Sequence, residues 1–504
     1  MTSTGAPPRL VDQKDSAEIH HLDHYDDEKA SPIDHLEHVD IDHGYDQDFI
    51  RKTTRKIDWR LIPPLVCMYC ISSIDRKNVS LARAANNEAM QDELDLGTSR
   101  YNIITLLFFP PYIIFELPPW LTIQSQLGLR KFGPRYWLGS ATFLWGLVTI
   151  GLGFSNNWIA MAAMRALLGM FEACLFPGAA YLIACWYPRK QMARRSAAFY
   201  ITSIAVGGLG NLLGYGISMM HRIQNYSGWR WIFIIEGILT VVIAVMGLLL
   251  LVDFPDRSTF LTPEQKDMII TRIHRDRGDS EADPMTKAKF ISYLCEPKIW
   301  LFAVWFCVTT LGTYSMSYFL PRILRGMGFT DTMSQVLLAP PYVWAVVPAM
   351  VHAYCADKFR NMRAWMMLSG CFQCILGTIL YSQLPERMKA GRYAGTFLAV
   401  GAANGNVGLI ISWSQCSIRN QSKRGFTSAL VVAFGGIGGI LASLLFMDKE
   451  AKKGYPTGVW SVVGLNCFQV FTVVGMRFFF KYRNKLADEG KVVIEGDPKF
   501  RYQL

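Results

Sequence analysis

The sequence has few charged residues and no pattern that would organise a soluble catalytic site. Charged residues make up 18% of its 504 positions, whereas soluble globular proteins carry about 25%. No Ser/His/Asp or Cys/His arrangement stands out, and the glycine runs at 207–210 and 435–439 lack the GK[ST] of a phosphate loop. These runs lie within apolar blocks and indicate close helix packing. We therefore expect neither an enzyme nor a bound cofactor.

Eleven cysteines are present, most of them within apolar blocks and without paired CxxC spacing. This distribution argues against a disulfide framework or a zinc site and indicates thiols that pack as small hydrophobic side chains. The formal net charge is +11, but the basic residues occupy short gaps between apolar blocks rather than one binding surface. We expect no metal and no nucleic-acid partner, because basic short loops are typical of membrane proteins.

Apolar blocks recur along the chain, each roughly 20 residues long and able to cross about 30 Å of hydrocarbon as a helix. Lipid offers the backbone no hydrogen-bond partner, so helices are the conformation expected at this length. The sequence thus predicts an all-α integral membrane protein with about twelve spans in two six-helix bundles. The predicted spans are 60–80, 101–122, 134–154, 158–182, 194–218, 230–252, 298–320, 333–355, 364–383, 393–416, 426–447 and 458–481. The charged run Asp75-Arg76-Lys77 is expected to end the first span early.

Polar segments divide the chain further. The predicted regions are a disordered acidic, His-rich cytoplasmic tail (1–56), an N-terminal bundle (57–252), a cytoplasmic linker (253–297), a C-terminal bundle (298–482) and a cytoplasmic tail (483–504). The first tail has no apolar core of a signal peptide, so targeting is expected to depend on the first span. A metal-binding tract is the alternative for its histidines, which are His20, His21, His24, His35, His38 and His43. In the linker, Thr262, Pro263 and Glu264 predict a helix start.

The loops on the side of the two termini are rich in lysine and arginine. They hold Arg130, Lys131, Arg135, Arg189, Lys190, Arg194, Arg195, Lys358, Arg360, Arg363, Arg419, Lys423 and Arg424. The positive-inside rule then places both termini in the cytoplasm, and we expect the plasma membrane as the location. Asn225-Tyr226-Ser227 falls on the external side as a candidate glycosylation site at Asn225, with an unused sequon as the alternative.

Ionisable side chains within membrane spans cost about 2.5–3.5 kcal/mol each on insertion scales, so they are candidates for function. One group is Asp75 and Arg76 with Asn78, for which an interfacial charge pair is the alternative. Another is Arg165 and Glu172 in the fourth span. Seven residues return a helix to nearly the same face, so both are expected to face the cavity between the halves. A structural ion pair between helices is the alternative.

Two further ionisable residues are expected to be structural: Glu116, bonding backbone groups freed by nearby prolines, and His352 at a helix end. Polar positions within spans supply candidate substrate contacts, which are Asn211, Tyr314, Asn404 and Asn406. The fourth span also suggests how an anion and a proton are coupled. A substrate carboxylate on Arg165 would neutralise the field of that cation, and Glu172 would then take up a proton.

Five stretches carry a resemblance to a known family. They are Ile74-Asp75-Arg76-Lys77-Asn78, Tyr112 through Pro118, Arg165 through Ala173 with Pro177-Gly178, Gly228 through Gly237, and Trp413 with Lys423-Arg424. Through them, roughly residues 57–485 resemble the allantoate and nicotinate permease branch of the major facilitator superfamily, the anion:cation symporters of fungi. The family's loop signature is matched only in the second half, by Asp357-Lys358-Phe359-Arg360. In the first half Arg130 stands near the place of the expected acid.

The resemblance implies proton-coupled symport of a small organic anion by alternating access, carried out by a monomer in lipid. It assigns proton coupling to Asp75 and Glu172 and substrate binding to Arg76 and Arg165. The predicted substrate-binding residues also include Asn78 and the polar positions Asn211, Tyr314 and Asn404. Nicotinate, pantothenate and allantoate are examples of the carboxylate nutrients or vitamins expected. Two alternatives remain, an exporter of an acidic secondary metabolite and a nutrient receptor that signals without flux.

Overall fold

The structure, a computed structural model, describes residues 42, 44–85, 89–97, 99–116, 129, 131–277, 286–359, 361–496, 498 and 500–504. The elements formed by these residues are helices. Eleven of the helical segments in this part of the chain are long and apolar enough to cross a membrane. The all-helical membrane fold predicted from the apolar blocks is therefore confirmed. The histidines of the first tail lie outside the described residues.

The first half begins with a helix that starts before the predicted span. Its helices are α1 (Gln47–Ala84), α2 (Ala89–Glu93), α3 (Arg100–Leu106), α4 (Phe109–Glu116), α5 (Pro134–Gly153), α6 (Trp158–Glu172), α7 (Leu175–Trp186), α8 (Arg189–Ser218) and α9 (Gly228–Leu250). Short polar side chains cap two of them, since Asp46 accepts from the amide of Phe49 at 3.3 Å and Asn157 accepts from that of Ala160 at 2.7 Å. Because α1 begins at Gln47, the polar tail ends earlier than residue 56.

The expectation that charges end the first span early is wrong, because α1 continues through Lys77 to Ala84. The backbone groups of these residues bond within the helix, and the charged side chains have partners on other helices. Asp75 accepts from Trp145, Arg76 pairs with Glu172, and Lys77 donates to the carbonyl of Gly207. A charge with a buried partner does not need to reach the membrane surface.

The second half and the linker have the following helices: α10 (Pro263–Arg277), α11 (Lys287–Leu294), α12 (Pro297–Gly326), α13 (Asp331–Val336), α14 (Ala339–Trp344), α15 (Val346–Lys358), α16 (Arg363–Gln383), α17 (Lys389–Cys416), α18 (Gln421–Leu445) and α19 (Pro456–Asp488). The predicted helix start in the linker is confirmed. Helix α10 begins at Pro263, and the hydroxyl of Thr262 accepts from the amide of Gln265 at 3.3 Å.

Two predicted spans are interrupted. The span expected at 101–122 is divided into α3 and α4, and residues 117–122 lie outside the described part. The span expected at 333–355 is divided into α13, α14 and α15. Each interruption precedes a Pro-Pro pair, at 110–111 and 340–341, which starts the next short helix. Proline has no amide hydrogen and fits the first turn, where that hydrogen would lack a partner anyway.

The two ends of the bundle carry different polar contacts. We call the end at which the linker lies the linker face and the opposite end the distal face. At the linker face Asp58 of α1 accepts from Arg195 of α8 at 2.6 and 2.8 Å. In the second half, burial alone would raise the pKa of Glu495, but Lys298 and Lys423, which pair with it, hold that pKa below its ordinary value.

Contacts across the two halves are concentrated at the distal face. Asp448 accepts from Arg83 of α1 at 2.8 and 3.0 Å and from Arg322 of α12 at 2.8 Å. The side chain of Gln335 donates to the carbonyl of Ala84 at 2.9 Å. The main buried apolar cluster runs through the first half and into the distal part of the second. A separate cluster occupies the linker-face part of the second half. The halves are therefore joined at the distal end.

Candidate functional site

A buried ion pair between α1 and α6 forms the centre of the site. The Nε of Arg76 lies 2.5 Å from Oε1 of Glu172, whose side chain is 0% exposed. The hydroxyl of Ser72, one turn earlier on α1, donates to the same oxygen at 2.5 Å. The other carboxylate oxygen, Oε2, has no hydrogen-bond partner among the described residues. Glu172 thus has spare capacity to accept a hydrogen bond or to bind a proton.

The guanidinium of Arg76 also connects the two halves of the protein. Its Nη1 donates to the hydroxyl of Tyr314 on α12 at 3.2 Å, and its Nη2 donates to that of Tyr112 on α4 at 3.4 Å. The Tyr112 hydroxyl in turn donates to Glu116 at 3.5 Å. A change in the partners of Arg76 therefore affects both Glu172 and the contact with the opposite half.

Arg165 lies about two turns before Glu172 on α6 and is also turned toward α1. Its Nη2 donates to the backbone carbonyl of Arg76 at 3.4 Å, and its guanidinium lies 5.6 Å from the centre of the Phe108 ring. The Nε and Nη1 of Arg165 have no hydrogen-bond partner in the described part of the chain, although the residue is 0% exposed. The structure thus places both charges of α6 against α1, as the seven-residue spacing predicts. The cation paired with Glu172, however, is Arg76.

A second buried acid, Asp75, points into the first half rather than toward the second. Its carboxylate accepts from the indole of Trp145 at 2.7 Å, from Thr240 at 3.1 Å and from the amide of Asn78 at 3.1 Å. Glu236 of α9 interacts electrostatically with it. Glu236 is 0% exposed, and the amide of Asn78, which donates to Asp75, also interacts with its carboxylate.

Other predicted contacts are not joined to this cluster. Asn404 donates to the carbonyl of Val400 in its own helix at 2.8 Å, and the amide nitrogen of Asn211 has no partner in the described part. His352 contacts Ser369 at 3.4 Å. The remaining polar candidate, Asn406, donates to the carbonyl of Met367.

Glu116 contradicts the expectation that it bonds freed backbone, because its described partner is the hydroxyl of Tyr112. The candidate glycosylation residue Asn225 is exposed at the distal face, with φ 63°. Arg130 and Arg360 of the loop signature lie outside the described residues. No group of three or more His, Cys, Asp or Glu side chains is placed to hold a metal within the described ranges.

Four residues of the site were given no functional role in the sequence analysis: Ser72, Tyr112, Lys77 and Glu236. Lys77 and Glu236 fall within the stretches that carried the resemblance, and each is an ionisable residue within an apolar region. The rule that such residues are functional candidates therefore applied to both. Ser72 has no such signal, because a serine one turn from Arg76 is common in helices.

The all-helical membrane fold agrees with comparison to known proteins. Residues 65–443 match the family model of the Major Facilitator Superfamily. The chain belongs to this superfamily. The transporter prlL of a fungal species (strain NRRL 50135), named as a member of the same superfamily, is 30% identical over 454 residues, which cover 89% of this facilitator and 90% of the relative.

Further similar proteins give the same picture of the family and fold. The transporter cnsO of Penicillium expansum is 26% identical over 462 residues, covering 89% of this facilitator and 87% of that protein. Among solved structures, a bacterial homologue of the human lysosomal transporter Spinster matches with a TM-score of 0.61 at 15% identity. That match covers 83% of this facilitator and 95% of the bacterial chain, which was crystallised in an inward-facing, occupied conformation. At this identity the likeness shows the fold alone.

Proposed function

We propose that this facilitator is a secondary active transporter that carries a small organic anion together with protons by alternating access. The observation that supports this proposal is the buried pair of Arg76 and Glu172, in which the arginine also bonds Tyr314 of the opposite half. An arginine is well suited to a carboxylate, because its planar guanidinium can donate two parallel hydrogen bonds. It already holds one carboxylate in this structure.

An entering carboxylate would compete with Glu172 for the guanidinium of Arg76. Once released, Glu172 would be an unpaired buried carboxylate, and such a charge is very unfavourable away from water. Binding of a proton removes that charge, so anion and proton load together. This exchange replaces the mechanism based on Arg165, since Arg76 is the residue in direct contact with Glu172. Arg165, two of whose nitrogen atoms have no hydrogen-bond partner among the described residues, is a further anion contact in the proposal.

The finer assignments belong to the same proposal. The stretches quoted above support an assignment to the allantoate and nicotinate permease branch, with a carboxylate nutrient or vitamin as the substrate. The linker face is cytoplasmic, in agreement with its basic loops, and the membrane is the plasma membrane. Asp75 serves as a second proton-binding group, and Asn78 and Tyr314 assist substrate binding in a monomer.

Replacement of Glu172 tests the proposal. In proteoliposomes with an imposed pH gradient, Glu172→Gln is expected to reduce proton-driven accumulation of labelled carboxylates at least about tenfold, because glutamine cannot bind and release a proton. Exchange of labelled for unlabelled substrate at equal pH needs no proton movement and is expected to continue. The matched control is Glu264→Gln in the linker, outside the membrane spans, which should behave as the unaltered protein.

The outcomes also separate the alternatives. Proton-driven accumulation that is unchanged in Glu172→Gln contradicts coupling through this residue. Accumulation of substrate only when the imposed pH gradient is reversed identifies an exporter. Binding of carboxylates without any flux in the unaltered protein identifies a receptor.

A further inference from the structure

The two interrupted spans carry the same tripeptide at the same place. Pro110-Pro111-Tyr112 begins α4, and Pro340-Pro341-Tyr342 begins α14, each in the second span of its half. Both tyrosines reach α1. The ring of Tyr112 lies 5.1 Å from the guanidinium of Arg76, and the ring of Tyr342 lies 3.8 Å from the ammonium of Lys77. Consecutive cations of α1 are thus met by corresponding tyrosines from the two halves.

The two cations differ in whether a carboxylate is paired with them. Arg76 is paired with Glu172, whereas no carboxylate pairs with Lys77 among the residues that the structure describes. Lys77 is 9% exposed, and its Nζ donates to the carbonyl of Gly207 at 3.2 Å. The ammonium form of Lys77, with one carbonyl and one aromatic face for partners, has two further hydrogen-bond donors. An anion would satisfy both.

The contact between α1 and α8 also holds a hydrogen-bond donor that has no partner among the described residues. Helix α8 packs closely on α1 through small residues, with Gly207 against Lys77 and Gly214 against Leu81. Asn211 lies one turn beyond Gly207 on this face of α8. It is 3% exposed, and its amide nitrogen has no hydrogen-bond partner in the described part of the chain.

Helix α12 connects the tyrosine that covers Lys77 with the contacts of Arg76. Tyr342 shares a hydrogen bond of 3.1 Å with Ser317, and Tyr314, which accepts from Arg76, is three residues earlier on the same helix. Residues three apart lie on one face of a helix, about 5 Å apart along its axis. Such a separation suits the two acidic groups of one short molecule.

We propose that Lys77 and Asn211 form a second anion subsite, so that the transported anion is a short dicarboxylate. One carboxylate takes Arg76 in exchange for Glu172, and the other takes Lys77 and the amide of Asn211. This inference rests on the proposed function and adds the class of substrate to it. Lys77 is a specificity-determining residue in this scheme, because a monocarboxylate occupies only the Arg76 position.

Binding of matched acids by the purified full-length protein tests the subsite. The pairs are succinate with butyrate and pyridine-2,3-dicarboxylate with pyridine-3-carboxylate, measured at pH 7.5 by ligand-induced thermal stabilisation. The unaltered protein is expected to bind the dicarboxylate of at least one pair more tightly. Lys77→Met should weaken that binding about tenfold or more, to the level of the monocarboxylate, because it removes one charge-assisted contact. Its affinity for the monocarboxylate should stay within about threefold.

Two further variants keep the test decisive. Lys77→Arg retains the charge and is expected to preserve the preference, whereas Asn211→Leu should lower it without affecting the monocarboxylate. An equal loss for both acids of a pair in Lys77→Met would show that Lys77 only joins the helices, and would overturn the subsite. So would an unaltered protein that binds neither dicarboxylate. The proposed function fails separately, if Arg76→Gln binds and accumulates carboxylates as well as the unaltered protein.

Discussion

At the scale of single residues, two buried acids of the first half show how differently one chemical group can be held. Asp75 accepts three hydrogen bonds, from Trp145, Thr240 and Asn78. Glu236 is buried beside the amide of Asn78, which already donates to Asp75. Hydrogen bonds to a carboxylate favour its charged form, and burial without them favours the neutral acid. Three donors thus support a carboxylate at Asp75, whereas Glu236 has at most a share of one among the described residues.

The same substitution should consequently have opposite effects at these two positions. Glu236→Gln keeps the shape of a buried side chain that has few partners, so the free energy of unfolding should be unchanged or increased by up to about 2 kcal/mol. Asp75→Asn weakens the bonds from Trp145 and Thr240 and should cost about 1–3 kcal/mol. Thermal unfolding in detergent measures both. Equal losses of stability in the two variants would contradict this assignment.

Residue chemistry explains how far the sequence could identify the site. The rule that ionisable groups in membrane spans are functional selected Asp75, Arg76 and Glu172 directly. Lys77 was read as a span end, because hydropathy records its charge but not the carbonyl and the aromatic ring that surround it. The pairing of Arg76 with Glu172 was also beyond the sequence, since it depends on how α1 and α6 are placed against each other.

At the scale of helices, α6 is held against the interrupted second span by one glycine. Gly169 lies between Arg165 and Glu172, and a Cβ atom there would come closer to the carbonyl oxygen of Phe108 than real Cβ atoms approach. The turn at Leu107–Phe108 brings this carbonyl against α6. The absence of a side chain at Gly169 thus lets both charged residues of α6 reach α1.

Gly169→Ala should therefore separate α6 from the second span. Because the obstacle is backbone rather than a flexible side chain, we expect a loss of about 3 kcal/mol, at the upper end of overpacking effects. The readouts are the thermal unfolding temperature and the affinity for the carboxylates tested above. Gly464→Ala in α19 is the control, since no atom lies within 4 Å of its added Cβ. It should be neutral or slightly stabilising, because alanine favours helix. Similar losses in both variants would show that packing at Phe108 is not responsible.

The helices themselves were largely predictable, and their interruptions were not. The apolar blocks gave the third span, α5, at Pro134–Gly153 against an expected 134–154. The spans that contain the Pro-Pro pairs at 110–111 and 340–341, however, are divided into short helices. Hydropathy predicts whether a segment enters lipid. It does not predict where a helix is interrupted, because that depends on which neighbouring groups bond the backbone that the prolines leave free.

At the scale of the whole molecule, the structure represents a state that is closed at the distal face. The apolar core is continuous between the halves there and divided toward the linker face. The charged part of the closure is centred on Asp448, which holds Arg83 of the first half and Arg322 of the second and whose side chain is 3% exposed. The proposed alternating access requires this end to open. The pair of Asp448 with Arg83, which joins the two halves, must then break, so its strength affects how often the distal face is exposed.

Asp448→Asn should shift the population toward a state open at the distal face. Removal of one partner from a buried ion pair costs about 3–5 kcal/mol, and here the cost falls on the closed state alone. A cysteine introduced at Ser80, which lines the distal pocket with Arg83 and Tyr318, reports the change. A membrane-impermeant thiol reagent should label it at least about tenfold faster in the Asp448→Asn background.

The labelling needs two comparisons, because the chain has native cysteines and because the effect of Asp448 has to be separated from that of any loss of charge at this face. Protein without the introduced cysteine gives the background rate. Asp331→Asn is the matched variant, since Asp331 pairs with Arg325 at 2.7 Å within the second half. Arg325 also donates to the carbonyl of Ala84 in the first half, a bond that this substitution does not remove. Fast labelling in Asp448→Asn but not in Asp331→Asn would assign the closure to the contact between the halves. Equal rates in the two variants would mean that the continuous apolar core, rather than Asp448, keeps the distal face shut.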